Sequence, residues 1–128
     1  NLILDGAHNP NAARALAENW RSAFGEEKAC LIFGCMADKD VEGVLKTLSP
    51  ITESIQLSPV QSPRAVSVSE LHKLCNKWMP GIPVRSHDSL KAALGAQTQH
   101  RRLLTGSLFL VGEALGMLQG SLREASLQ

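Results

Sequence analysis

Short apolar runs alternate with helical patterns along the chain, and that alternation leaves few folds open. Leu2–Leu4 reads as a first strand. Asn11–Ala23 is rich in Ala, with Ala12, Leu16 and Trp20 about a helical turn apart, the pattern of an amphipathic helix. Ala29–Phe33 is a continuous apolar run, as expected of a strand buried on both faces. A loop after Gly34 leads to a helix from about Val41 to Leu48, which Pro50 ends. Ser54–Leu57 reads as a third strand, followed by a long Ser- and Pro-containing loop from Ser58 to about Ser67. Ser67 or Ser69 caps a helix running to Trp78, and Pro80-Gly81 breaks it. Ile82–Arg85 is a short strand, and Asp88 or Ser89 opens a helix through Leu94. Arg102–Thr105 is the last core strand, with Leu108–Leu118 the helix behind it. The expected fold class is α/β: a three-layer, Rossmann-like, mostly parallel sheet with helices on both faces.

The 128 residues suit one domain, here 1–120, with a polar tail at 121–128 that is expected to fray. A formal charge of +1 offers nothing to nucleic acid or to an anionic membrane. No basic run exceeds Arg101-Arg102, and three Phe, two Trp and no Tyr are too few for a base-stacking platform. Cys30, Cys35 and Cys75 form neither a CxxC pair nor an even disulfide set, which points to a reducing, cytoplasmic setting. Cys30 is expected in the core, Cys35 partly exposed at a strand end, and Cys75 on a helix. His72, His87 and His100 share no metal-ligand spacing and read as surface or packing residues. No apolar stretch has transmembrane length and no signal peptide is visible. The chain opens without Met inside a strand, so a fragment of a longer polypeptide is expected.

In a parallel sheet the carboxyl ends of the strands form one rim, where ligands collect. Four polar segments fall there: Asp5–Asn9, Gly34–Asp40, Ser58–Arg64 and Thr105–Ser107. Each residue has two readings. Asp5 either accepts from a ribose hydroxyl or helps hold a metal-bound phosphate, or it caps the following turn. His8 donates to a phosphate or carboxylate, shuttles a proton near neutral pH, or does neither. Asn9 is a ligand contact or a helix cap. Lys39 binds the carboxylate of an amino acid, or belongs to a solvated cluster with Asp38 and Asp40. Arg64 forks onto a carboxylate or phosphate, or is an idle surface charge. Ser107 caps a helix whose first N–H groups make a small anion cradle, two compatible roles. No GxxxxGK[ST] loop occurs, and no GxGxxG follows a strand, which disfavours a dehydrogenase.

Four strings carry a resemblance: LDGAHNPNA at the start, GCMADKD at Gly34–Asp40, SPRA at Ser62–Ala65 and LLTGSLFLVGEAL at Leu103–Leu115. Together they resemble the C-terminal domain of folylpolyglutamate synthase and dihydrofolate synthase, which belong with the Mur ligases. The resemblance implies the Mur-ligase C-terminal fold and an ATP-dependent ligase. Such an enzyme joins L-glutamate to a folate or dihydropteroate carboxylate through an acyl phosphate. It further implies a preceding ATPase domain of the same chain that carries the phosphate loop and the Mg2+ ligands. This domain would then hold no metal, would supply the glutamate pocket and part of the ATP site, and would be inactive alone. On that pattern Asp5 and His8 are catalytic and ATP-binding, while Asn9, Lys39, Ser107 and Arg64 bind glutamate. Nucleic acid and membrane are not expected partners. Two other classes stay open, a Mur-type peptidoglycan ligase domain, against which DGAHNP argues, and a non-catalytic α/β interaction module.

Overall fold

The structure, a computed structural model, describes residues 1–127, with side chains described through Ser121. The expected polar tail at 121–128 therefore lies largely outside the described side chains. Five strands, β1 (Leu2–Leu4), β2 (Ala29–Phe33), β3 (Thr52–Leu57), β4 (Val84–Ser86) and β5 (Arg102–Thr105), alternate with five helices. These are α1 (Pro10–Phe24), α2 (Val41–Leu48), α3 (Val68–Trp78), α4 (Leu90–Leu94) and α5 (Leu108–Leu127), with a 3-10 turn at Ser49–Ile51. The strands lie in the order β1-β5-β2-β3-β4, and every described pair is parallel.

Local chemistry accounts for most boundaries. Asn9 caps α1, its side-chain oxygen accepting from Ala12 N at 2.8 Å, and Pro10 occupies the first turn, where a missing N–H costs nothing. Gly25, at φ 61°, ends the helix. Asp40, Ser67 and Ser89 cap α2, α3 and α4. Three elements differ from the sequence reading by two residues or more. β3 begins two residues early, at Thr52, because a register shift at Ala29/Cys30 lets Glu53 bulge out of the ladder. β4 lies at Val84–Ser86 rather than Ile82–Arg85, since the Ile82 N–H is used by the Met79 carbonyl and Pro83 has no N–H to give. The ladder starts where Pro83 accepts from Ile55 N at 2.9 Å. α5 continues to Leu127 instead of ending at Leu118.

The sheet alternates its side chains between two cores. Leu31, Phe33, Ile55, Leu57 and Leu103 face α1, α2 and α3, where they meet Leu16, Trp20, Leu45, Leu48 and Leu71. Ile32 and Leu104 face the opposite side, against Leu90 of α4 and Leu110 and Ala114 of α5. Both layers are sealed, which is why β2 is buried at all five positions. The order of strands brings the ends of β1, β5 and β2 side by side, and three of the polar segments leave the sheet there.

Candidate functional site

Past β1 the chain continues the ladder for one more residue, Asp5 N donating to Leu104 O at 3.0 Å. The Asp5 carboxylate then accepts from Ala7 N at 2.9 Å, so the loop turns back on itself. The Ala7 carbonyl accepts from Gly106 N at 3.1 Å and from the buried Thr105 hydroxyl at 3.3 Å, linking residues 98 apart in sequence. Close approach of the loops depends on two glycines. A Cβ at Gly6 would overlap the Leu108 side chain. One at Gly106, whose φ is +111°, would overlap the Gly34 carbonyl and the Phe33 ring.

These contacts fix His8. Its Nδ1 lies 2.9 Å from the Gly6 carbonyl. A carbonyl only accepts, so Nδ1 carries the proton and Nε2 of the neutral ring is left as an acceptor.

The second segment arrives from β2. Ala37 N donates to Arg64 O at 2.7 Å, Val66 N donates to Cys35 O at 3.0 Å, and Met36 forms an antiparallel bridge with Ala65. The loops after β2 and β3 are thereby clipped together, and Arg64 is carried to Asp38, Nη1 to Oδ2 at 3.9 Å. Both side chains are exposed, so this pair contributes no more than about 1 kcal/mol and yields readily to a ligand. Asp40 is occupied as the α2 cap, its Oδ1 accepting from Gly43 N at 3.0 Å.

The third segment is the start of α5. Ser107 is buried, its hydroxyl accepting from Phe109 N at 3.0 Å while its carbonyl accepts from Val111 N. The positive end of a 20-residue helix therefore opens onto the rim.

Four of the six expected residues, His8, Lys39, Arg64 and Ser107, line one pocket of about 100 Å³. Met36, Leu108 and Phe109 give it apolar walls, and Asp38 stands beside Arg64. Asp5 and Asn9 are on the same loop as His8 but do not line the pocket; one holds the turn and the other caps α1. Two cations, a helix N-terminus and an imidazole held through its Nδ1 suit an anionic ligand that must lose a proton. Leu108 and Phe109 were missed by the sequence reading, which placed them on the packed helix; they are 65% and 56% exposed.

Cysteine has no part in this site. Cys35, expected to be partly exposed, is buried because the clipped loops cover it. Burial, with the neighbouring Cys75 adding to it, pushes its thiol up to about 12, and burial does the same to Cys75. Thiols held neutral in this way are poor nucleophiles. Among the described residues no three His, Cys, Asp or Glu side chains converge to hold a metal ion. No described helix is long and apolar enough to cross a membrane.

Comparison with known proteins places the arrangement. The family model described as Mur ligase, glutamate ligase domain matches residues 1–111. The dihydrofolate synthase/folylpolyglutamate synthase of Mycobacterium tuberculosis is 31% identical over 97 residues, 76% of this chain and 20% of that protein. Its Bacillus subtilis counterpart is 28% identical over 118 residues, 88% of this chain and 26% of that one. Among solved structures, Mycobacterium tuberculosis folylpolyglutamate synthase complexed with ADP superposes with a TM-score of 0.79 at 27% identity, covering 91% of this chain and 29% of that one. Folylpolyglutamate synthase from Thermotoga maritima gives 0.75 at 35% identity, with 87% and 26% covered. The chain thus spans only about a fifth to a quarter of the length of these curated relatives.

Proposed function

The chain belongs to the glutamate ligase domain family of the Mur ligases, and from that membership we propose that it is the C-terminal domain of a dihydrofolate synthase/folylpolyglutamate synthase. The observation that carries this reading is the meeting of His8, Lys39, Arg64 and Ser107 in one pocket. The reaction is amide formation between L-glutamate and a folate or dihydropteroate carboxylate at the expense of ATP. The acceptor carboxylate oxygen attacks the γ-phosphorus and ADP leaves. The glutamate amine then attacks the acyl carbon, and the tetrahedral intermediate expels phosphate.

Glutamate brings two carboxylates to a pocket with two cations, and Lys39 and Arg64 take them. Displacing Asp38 from Arg64 costs little, because that pair is exposed and long. His8 Nε2 accepts the proton that the attacking nitrogen must shed. The buried Ser107 and the first turn of α5 face the phosphoryl group and the charge that develops on the acyl oxygen. Asp5 stands at the nucleotide side of the same loop, and Asn9 keeps that loop in register with α1. The phosphate loop and the magnesium ligands are assigned to a preceding domain of the same chain, which closes over this face and excludes water from the acyl phosphate. The cytoplasm, where glutamate and ATP are plentiful and thiols stay reduced, is the proposed location.

The test is glutamate-dependent phosphate release by the full-length enzyme with a dihydropteroate or folate acceptor, set against muramoyl peptides. Transfer to the pterin acceptors is expected, and His8→Ala lowers kcat by about a hundredfold or more. Transfer to muramoyl peptides alone would reassign the domain, and a near-wild-type kcat for His8→Ala would remove His8 from the chemistry.

A further inference from the structure

A second and larger cleft, of about 600 Å³, lies on the same edge of the sheet at the ends of β3 and β4. One wall is α3, with Ser69, His72 and Lys73; the other follows β4, with Ser86, His87 and Asp88. His72 Nδ1 and Ser86 Oγ lie 2.9 Å apart and tie the walls together. His87 Nε2 lies 2.6 Å from the side-chain oxygen of the buried Gln56 and donates to it, which orients the ring. Among the described residues, neither Lys73 nor Asp88 makes an ion pair, although both line the cleft. An ammonium, two imidazoles and two hydroxyls thus face a single carboxylate. Nothing in the pocket chemistry above uses them.

Position gives these groups a ligand. Pro59, which lines the cleft, is on the same loop as Arg64, which lines the pocket. The pocket sits over β1, β5 and β2, and the cleft over β3 and β4, so about two strand spacings, roughly 10 Å, separate them. An extended chain of about three residues covers that distance. The cleft is open along the surface, which suits a flexible chain of variable length better than a compact ligand.

We propose that this cleft is a subsite for the γ-glutamyl tail of the acceptor. Lys73 and His72 take the tail's carboxylates, the hydroxyls of Ser69 and Ser86 add hydrogen bonds, and Asp88 accepts from a tail amide N–H. The inference rests on the folylpolyglutamate reading of the neighbouring pocket. It makes affinity depend on tail length.

The experiment is steady-state kinetics of the full-length enzyme with folate acceptors bearing one, three and five glutamates, for wild type, Lys73→Glu, Lys73→Arg and His72→Ala. Lys73→Glu is expected to raise KM roughly fivefold for the longer acceptors. KM for the one-glutamate acceptor and kcat stay at wild-type values, which also shows that the variant folds. Lys73→Arg keeps the wild-type length dependence, and His72→Ala shifts it in the direction of Lys73→Glu. Equal KM changes at every length, or none, would overturn the tail subsite while leaving the proposed function intact. A wild-type enzyme that transfers glutamate to dihydropteroate but to no folate acceptor would overturn the tail subsite alone, and one that transfers it to neither would remove both readings.

Discussion

Thr105 contributes to the pocket without lining it. Its hydroxyl, with the Gly106 N–H, holds the carbonyl of Ala7, the residue just before His8. Thr105→Val keeps the shape of the side chain and removes one of the two donors. Urea denaturation should show a loss of about 1 to 2 kcal/mol, with Thr105→Ser recovering most of it. In the full-length enzyme of the proposed function, glutamate transfer should fall with the valine variant because the imidazole loses its aim, and an unchanged rate would mean that Gly106 N alone suffices. At this scale much of the candidate site's placement was legible: His8, Lys39 and Ser107 follow strand ends, and strand ends in a parallel sheet share a rim. Arg64 was legible only through the family strings, because its place depends on the bridge between Met36 and Ala65, a contact no local pattern announces. The exposure of Phe109 was hidden for a related reason. Helical periodicity says which residues share a face, not which faces a neighbour covers.

α5 shows what that means for an element. Leu110 is fully buried against the sheet, whereas Leu108 and Phe109 beside it stand open at the pocket. Leu110→Ala should therefore destabilise the fold by about 3 kcal/mol, read from the urea midpoint. Leu108→Ala should cost well under 1 kcal/mol, since its side chain is already in water. Equal losses would mean that the helix is packed the other way round. Helix starts were the most legible boundaries, because Asn9, Asp40, Ser67 and Ser89 announce them with a side chain that bonds the first turn. Strand edges were the least. β3 and β4 are set by a bulge and by a turn that consumes the Ile82 N–H, and both depend on the partner strand.

The whole molecule has a pH limit built into its larger core. Folding raises the thiols of Cys35 and Cys75 from the ordinary 9.0 to about 12. Stability from these groups is complete below pH 9 and drains away as pH rises toward 12, because the unfolded chain then releases protons that the folded one keeps. By pH 10 the loss should be about 1 kcal/mol for each thiol, seen as a lower urea midpoint than at pH 8. The double variant Cys35→Ala/Cys75→Ala should flatten that dependence, and an equally steep fall would place its origin elsewhere. The strand order has a different consequence, one of timing. β5 separates β1 from β2, so among the described strands β1 has no partner until residues 102–105 exist. During synthesis β2, β3 and β4 can zip together as they leave the ribosome, while the β1 segment with His8 waits. Chains that stop before Arg102 carry His8, Lys39 and Arg64 but neither Ser107 nor the apolar wall of Leu108 and Phe109, and have nothing to seat the first of them on. Synthesis of β5 is thus coupled to assembly of the candidate site, and chains that stop before it leave the β1 segment loose and open to a protease.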